Sequence, residues 1–100
     1  MTGSEIIQAY ENILSLTEEM LIAARQADWE RLIERERECS RQVQTLAAAQ
    51  VDTRLAPPFQ RRKIEIIHKV LAGDAEIRDL AEPRMARLQA LVSGTRHERQ

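Results

Sequence analysis

Apolar residues recur at spacings of three and four along nearly the whole chain, the mark of amphipathic helices. In the first segment Ile6, Tyr10, Ile13, Thr17, Met20 and Ala24 keep this spacing, flanked by Ile7, Leu14 and Leu21, with Thr2 or Ser4 as the cap. A second stripe runs through Trp29, Leu32, Glu36, Cys39, Val43 and Leu46, is widened by Ile33, and fades near Ala49. The stretch between them, Ala23 to Leu32, holds a helix end, a two-residue link and a new helix start. Asp28 offers its carboxylate to the free N–H groups of the next turn, and Glu30 adds negative charge at the positive end of the helix dipole. Trp29 falls on the apolar side. So short a link folds the two helices back on each other as an antiparallel hairpin.

Val51 to Ala56 lack a period, and Pro57-Pro58 suit the first turn of a third helix. This segment runs from about Pro58 to about Val92. Gly73-Asp74 is able to end one helix and cap another, and Pro83 removes a backbone donor and kinks a helix. The apolar phase nevertheless carries across both points, through Ile67, Val70, Ile77, Leu80, Leu88 and Leu91. The pattern predicts an all-α fold, an antiparallel helical hairpin plus a long bent third helix, together a three-helix bundle. A break at Gly73 gives a four-helix bundle as the alternative. Residues 1–94 form one helical domain, and residues 95–100 form a polar tail, expected to be disordered beyond a stop at Gly94. An unbroken third helix spans about 50 Å against about 33 Å for each hairpin helix, so its overhang needs cover from a second copy or a partner.

The third helix is also too apolar for its task. Ile66, Val70, Ile77, Leu80, Leu88 and Leu91 make one band, and Ile64, Ile67 and Leu71 widen it to roughly 200°. A helix covering one side of a hairpin needs about 100°. Either the bundle encloses this helix more fully, or Ile64, Ile67 and Leu71 form an exposed strip for a partner.

Composition narrows the chemistry. Fifteen basic and sixteen acidic side chains give a net charge of −1, so no global field draws the chain to nucleic acid or to an anionic membrane. The three aromatic residues make no base-stacking surface. No basic-then-apolar leader opens the chain and no apolar run approaches a membrane span, and the single Cys39 suits a reducing compartment, which together imply a cytoplasmic protein. His68 and His97 lie far apart and Cys39 has no second cysteine at zinc spacing; no metal or cofactor is expected. The alternating run Glu34 to Glu38 reads as a solvated face with pairs such as Arg31–Glu34 and Glu38–Arg41. Glu36 interrupts an apolar stripe, where a charge needs a partner. It is expected to be at least half buried and bonded to Thr17, or paired with Lys69 or Arg84; the alternative is an acidic contact to a partner, with a catalytic carboxylate least favoured.

The junction Ala27-Asp28-Trp29-Glu30-x-Leu32, the Glu36 that follows, and the run Ile67-x-x-x-Leu71 continuing to Leu88-x-x-Leu91-Val92 resemble the FliT-type flagellar export chaperones. The resemblance extends from Ile6 to about Val92 and rests on order, spacing and length. It implies a small, non-enzymatic helical chaperone that binds a C-terminal helical segment of the filament-cap protein before export. It further implies delivery to the export gate and its ATPase and, in some relatives, repression of the flagellar master transcriptional regulator. Ile67, His68, Leu71 and Arg78 match the family's partner surface, beside the Ile64 that the apolar arc adds. Some members carry a fourth, autoinhibitory helix, and no counterpart to it is expected from the polar residues after Gly94. Two other classes fit a helical chain of this size. One is a structural oligomerisation subunit, a homodimer that buries Ile64, Ile67 and Leu71. The other is a three-helix enzyme of the chorismate mutase kind, which needs basic side chains converging from apolar faces, whereas most basic residues here lie outside the stripes.

Overall fold

Thr2 opens α1 (Gly3–Arg25) with a reciprocal cap: the Glu5 N–H donates to Thr2 Oγ1 and the Thr2 N–H to Glu5 Oε1, each at 3.1 Å. These hydrogen bonds hold the Glu5 carboxyl below its ordinary pKa. At the far end the Asp28 N–H reaches the Ala23 carbonyl (2.8 Å) and the Ala27 N–H the Ala24 carbonyl (3.1 Å), a Schellman turn. Its left-handed position, φ 57°, is occupied by Ala27 where glycine is usual. The same turn starts α2 (Trp29–Ala49), as the Arg31 N–H donates to Asp28 Oδ1 at 3.3 Å. One short segment therefore closes one helix and caps the next, as expected for Asp28. The computed structural model describes residues 2–49 and 54–97, with the backbone alone for residues 83–86, 88–89 and 92–97.

The third helix, α3 (Pro57–His97), is unbroken through Gly73 and Pro83. Its 41 residues correspond to about 62 Å at 1.5 Å each, matching the 62 Å long dimension of the molecule. Gly73 is a point of close approach, not a break. A Cβ there would stand 2.8 Å from Thr17 Cγ2, so the glycine lets α3 close onto α1. Gly94 does not stop the helix either: α3 runs on to His97, since one glycine costs a helix only about 1 kcal/mol. Of the tail expected at residues 95–100, the first three positions are thus helical and residues 98–100 lie outside the described residues. Leu88, Arg84 and His97 side chains lie outside them too.

α1 is the central helix. Ile6, Ile13, Leu14, Leu16, Thr17, Met20, Ala23 and Ala24 are all buried along it, whereas α2 buries Leu46 alone. Two clusters share the core: Ile6, Ile13 and Leu46 with Val70 at one end, and Met20, Ala24 and Ile77 with Trp29, Leu32 and Leu80 at the other. Trp29 is half-buried in the second, inward as expected. Pairing of Leu46 with Ile6, and of Leu32 with Met20, makes α2 antiparallel to α1. Arg62 grips Glu11 through Nε (2.6 Å) and Nη2 (3.0 Å), and Arg25 meets Glu76 at 2.8 Å, so α3 runs parallel to α1. Both α2 and α3 pack on α1, yet their backbones stay apart from each other. From Ala81 on, α3 continues past the hairpin joint for about 25 Å.

Glu36 is not a core charge. It is exposed, and among the described residues its one side-chain bond is the Ser40 hydroxyl, donating to Oε1 at 3.0 Å. Thr17 donates to the Ile13 carbonyl (2.9 Å) and Lys69 pairs with Glu65 (3.1 Å). The reason is the narrow contact of α2: it meets α1 along Leu32, Cys39 and Leu46, and Glu36 lies about 60° around the helix from that line. Arg31–Glu34 and Glu38–Arg41 are not paired among the described residues; Arg35 instead reaches Glu19 and Glu38, each at 3.5 Å.

Candidate functional site

Two helices that both flank α1 with their backbones apart leave a trough between them. Its α2 wall carries Glu36, Cys39, Ser40, Val43 and Gln44, and its α3 wall Val70 and Asp74. Apolar side chains continue outward on both rims. At about 100° per residue, Val70, Asp74, Ile67, Leu71 and Ile64 follow one another around α3 from the trough to the open face. Leu71 is 60% exposed and Ile64 45%, with Ile67 half-buried between them and the trough. On α2, Val43 is 46% exposed, and Ile33, one turn before Glu36, is 50% exposed. Of the two alternatives for the third helix, enclosure or an exposed strip, Ile64 and Leu71 take the second, and the strip is one wall of a groove whose other wall belongs to α2.

Of the residues matched to a partner surface, Ile64, Ile67 and Leu71 form a continuous ridge one turn apart. Arg78 stands further along the same side, exposed and one turn beyond Asp74, while His68 lies exposed at the outer limit of the ridge. The α2 wall was missed because Val43 and Ile33 read as core width. One signal was in the sequence: a helix with Glu36 in its apolar stripe is poorly suited to full enclosure.

Electrostatics sharpen the picture. Burial, then the Glu36 and Asp74 carboxylates, push the Cys39 thiol up, only partly offset by Thr17, so it stays protonated and acts as a small apolar side chain. Burial, with Glu36 adding, also raises the Asp74 carboxyl, and Arg78 opposes this only in part. No group of three or more His, Cys, Asp or Glu side chains suited to a metal occurs among the described residues. No helix among them is long and apolar enough to cross a membrane. The arrangement is chemically suited to burying an apolar helix face.

Comparison with known proteins identifies the lineage of this architecture. The family model described as "Flagellar protein FliT" matches residues 7–100. The flagellar protein FliT of Photorhabdus laumondii is 26% identical over 88 residues, covering 88% of this chain and 70% of that protein. That of Yersinia pseudotuberculosis (serotype O:3) is 26% identical over 87 residues, covering 87% and 72%. The crystal structure of flagellar protein FliT from Bordetella bronchiseptica superposes with a TM-score of 0.80 at 30% identity, covering 86% of this chain and 97% of that one. An unbroken match from the first helix to the last, in sequence and in fold, shows that the chain belongs to the FliT family of flagellar proteins.

Proposed function

We propose that this protein is a cytoplasmic, non-enzymatic flagellar type III export chaperone whose client is a helical C-terminal segment of the filament-cap protein. The observation that carries this reading is the open groove, with Ile64, Ile67 and Leu71 on one side and Val43 and Ile33 on the other. Three helices with α1 touching both neighbours occupy three corners of a four-helix bundle, and an amphipathic client helix fills the fourth. Export-gate and export-ATPase components, and in this reading the flagellar master regulator, are further partners served by the same small scaffold.

Titration of the cap protein's C-terminal segment tests the proposal. Burying a leucine contributes about 1.5–3 kcal/mol, so Leu71→Asp, at a side chain 60% exposed, weakens binding at least tenfold or so. Its circular dichroism and melting temperature stay those of the parent protein. Ile67→Asp gives the same loss of binding, at some cost in stability because Ile67 is half-buried. Unchanged affinity in a folded Leu71→Asp protein removes the groove from client recognition. A stable dimer with no affinity for the cap segment favours an oligomerisation subunit instead.

A further inference from the structure

We propose that Glu36 and Asp74 make the groove selective for an amphipathic helix carrying a lysine or arginine at the centre of its apolar face. The inference rests on reading the groove as a helix-binding site and adds the charge class of what binds there.

The two carboxylates stand on opposite walls, Glu36 from α2 and Asp74 from α3, with Cys39, Val43 and Val70 between and around them. Neither is used by the fold. Glu36 accepts only the neutral Ser40 hydroxyl, and Asp74, half-buried, has no ion pair or side-chain hydrogen bond among the described residues. Three cations of α1 and α3 are committed elsewhere: Lys69 to Glu65, Arg62 to Glu11 and Glu65, Arg25 to Glu76. Among the described residues Arg78 is the cation whose charge offsets part of the rise at Asp74, and it lies exposed a full turn along α3. Covering the groove with an apolar or acidic helix strands both carboxylates away from water, which is costly without a partner. A basic side chain from the client removes that cost. Selectivity then comes chiefly from the penalty on the wrong helices. A second copy of this chain is disfavoured for the same reason, because a two-fold contact through this groove brings its own carboxylates together.

The test uses two designed helical peptides with identical apolar faces, one with Lys and one with Gln at the central position, titrated by fluorescence anisotropy at low salt. The parent protein binds the Lys peptide about five- to tenfold more tightly. The preference disappears in the double variant Glu36→Gln/Asp74→Asn, which retains its affinity for the Gln peptide. A Glu peptide binds best to Glu36→Lys/Asp74→Lys. Melting curves of each variant establish that it is folded. Equal affinity for Lys and Gln peptides overturns the charge selection. If the cap-protein segment still loses affinity on Leu71→Asp in that case, the chaperone reading stands without it. A Lys preference with no binding of the cap segment keeps the groove's chemistry and removes the cap protein as client. Failure of every peptide to bind, with self-association instead, assigns the groove to a second copy and overturns the proposal.

Discussion

At the residue scale, Ala27 carries strain that the fold tolerates for the sake of a tight joint. Its φ of 57° places a Cβ in the left-handed region, where an L-residue costs about 1 kcal/mol relative to glycine. Ala27→Gly is therefore expected to raise the unfolding free energy by about 0.5–1 kcal/mol in urea titration, and a loss of stability contradicts the Schellman geometry. Asp74 is the second local cost. Its folded-state pKa lies above the ordinary aspartate value because of burial and then Glu36, so the folded chain holds that proton more tightly than the unfolded one. By linkage, the group lowers stability as pH rises through the ordinary range and past the folded value. Asp74→Asn should raise the melting temperature at pH 7, with the gain shrinking as pH falls through the folded-state value and vanishing below the ordinary aspartate range, where the parent side chain is protonated in both states. Glu5 works in the opposite sense: its lowered pKa stabilises the fold above the ordinary glutamate range, and the benefit fades as pH falls.

At the element scale, the contact of α1 with α3 turns on one glycine. Thr17 is buried, its hydroxyl tied to the Ile13 carbonyl, and its methyl stands where a Cβ on Gly73 would go. Alanine ordinarily favours a helix interior over glycine by about 1 kcal/mol, but here the β-branched, hydrogen-bonded Thr17 has little room to move aside. Gly73→Ala should be destabilising by about 1–2 kcal/mol, within the usual cost of overpacking. Adding Thr17→Ser, which removes the methyl and keeps the hydroxyl, should recover most of that loss in a double-mutant cycle. If Gly73→Ala alone stabilises the protein, the close approach is not a constraint. The same element explains why Gly73 was open to two readings in the sequence. A glycine beside an aspartate resembles a helix stop, and only the neighbour across the interface distinguishes a stop from a contact.

At the scale of the whole molecule, stability is unevenly shared. α1 is packed on two sides, whereas α2 is packed on one and buries only Leu46. Amide hydrogen exchange should be slowest in α1 and clearly faster in α2, since fewer buried contacts hold its backbone bonds closed. Equal protection of α1 and α2 contradicts this division of the core. The uneven arrangement is also what leaves a groove: a fully enclosed third side would have buried Val43, Leu71 and Ile64 and left no surface for a partner.

Helix type, the hairpin, the Asp28 cap and the inward Trp29 were determined by the sequence itself, because each depends on residues within a turn or two of one another. So was the continuous apolar phase of α3 across Gly73 and Pro83, and the surplus strip at Ile64, Ile67 and Leu71. The tertiary structure alone decided what each apolar stripe meets. It put Glu36 on a groove edge instead of in the core, placed Asp74 opposite it, and exposed Val43 as a wall. A periodic pattern records how wide an apolar face is, but how much of that face is covered depends on the rotation and spacing of neighbouring helices, which are set by contacts remote in sequence such as Thr17 with Gly73.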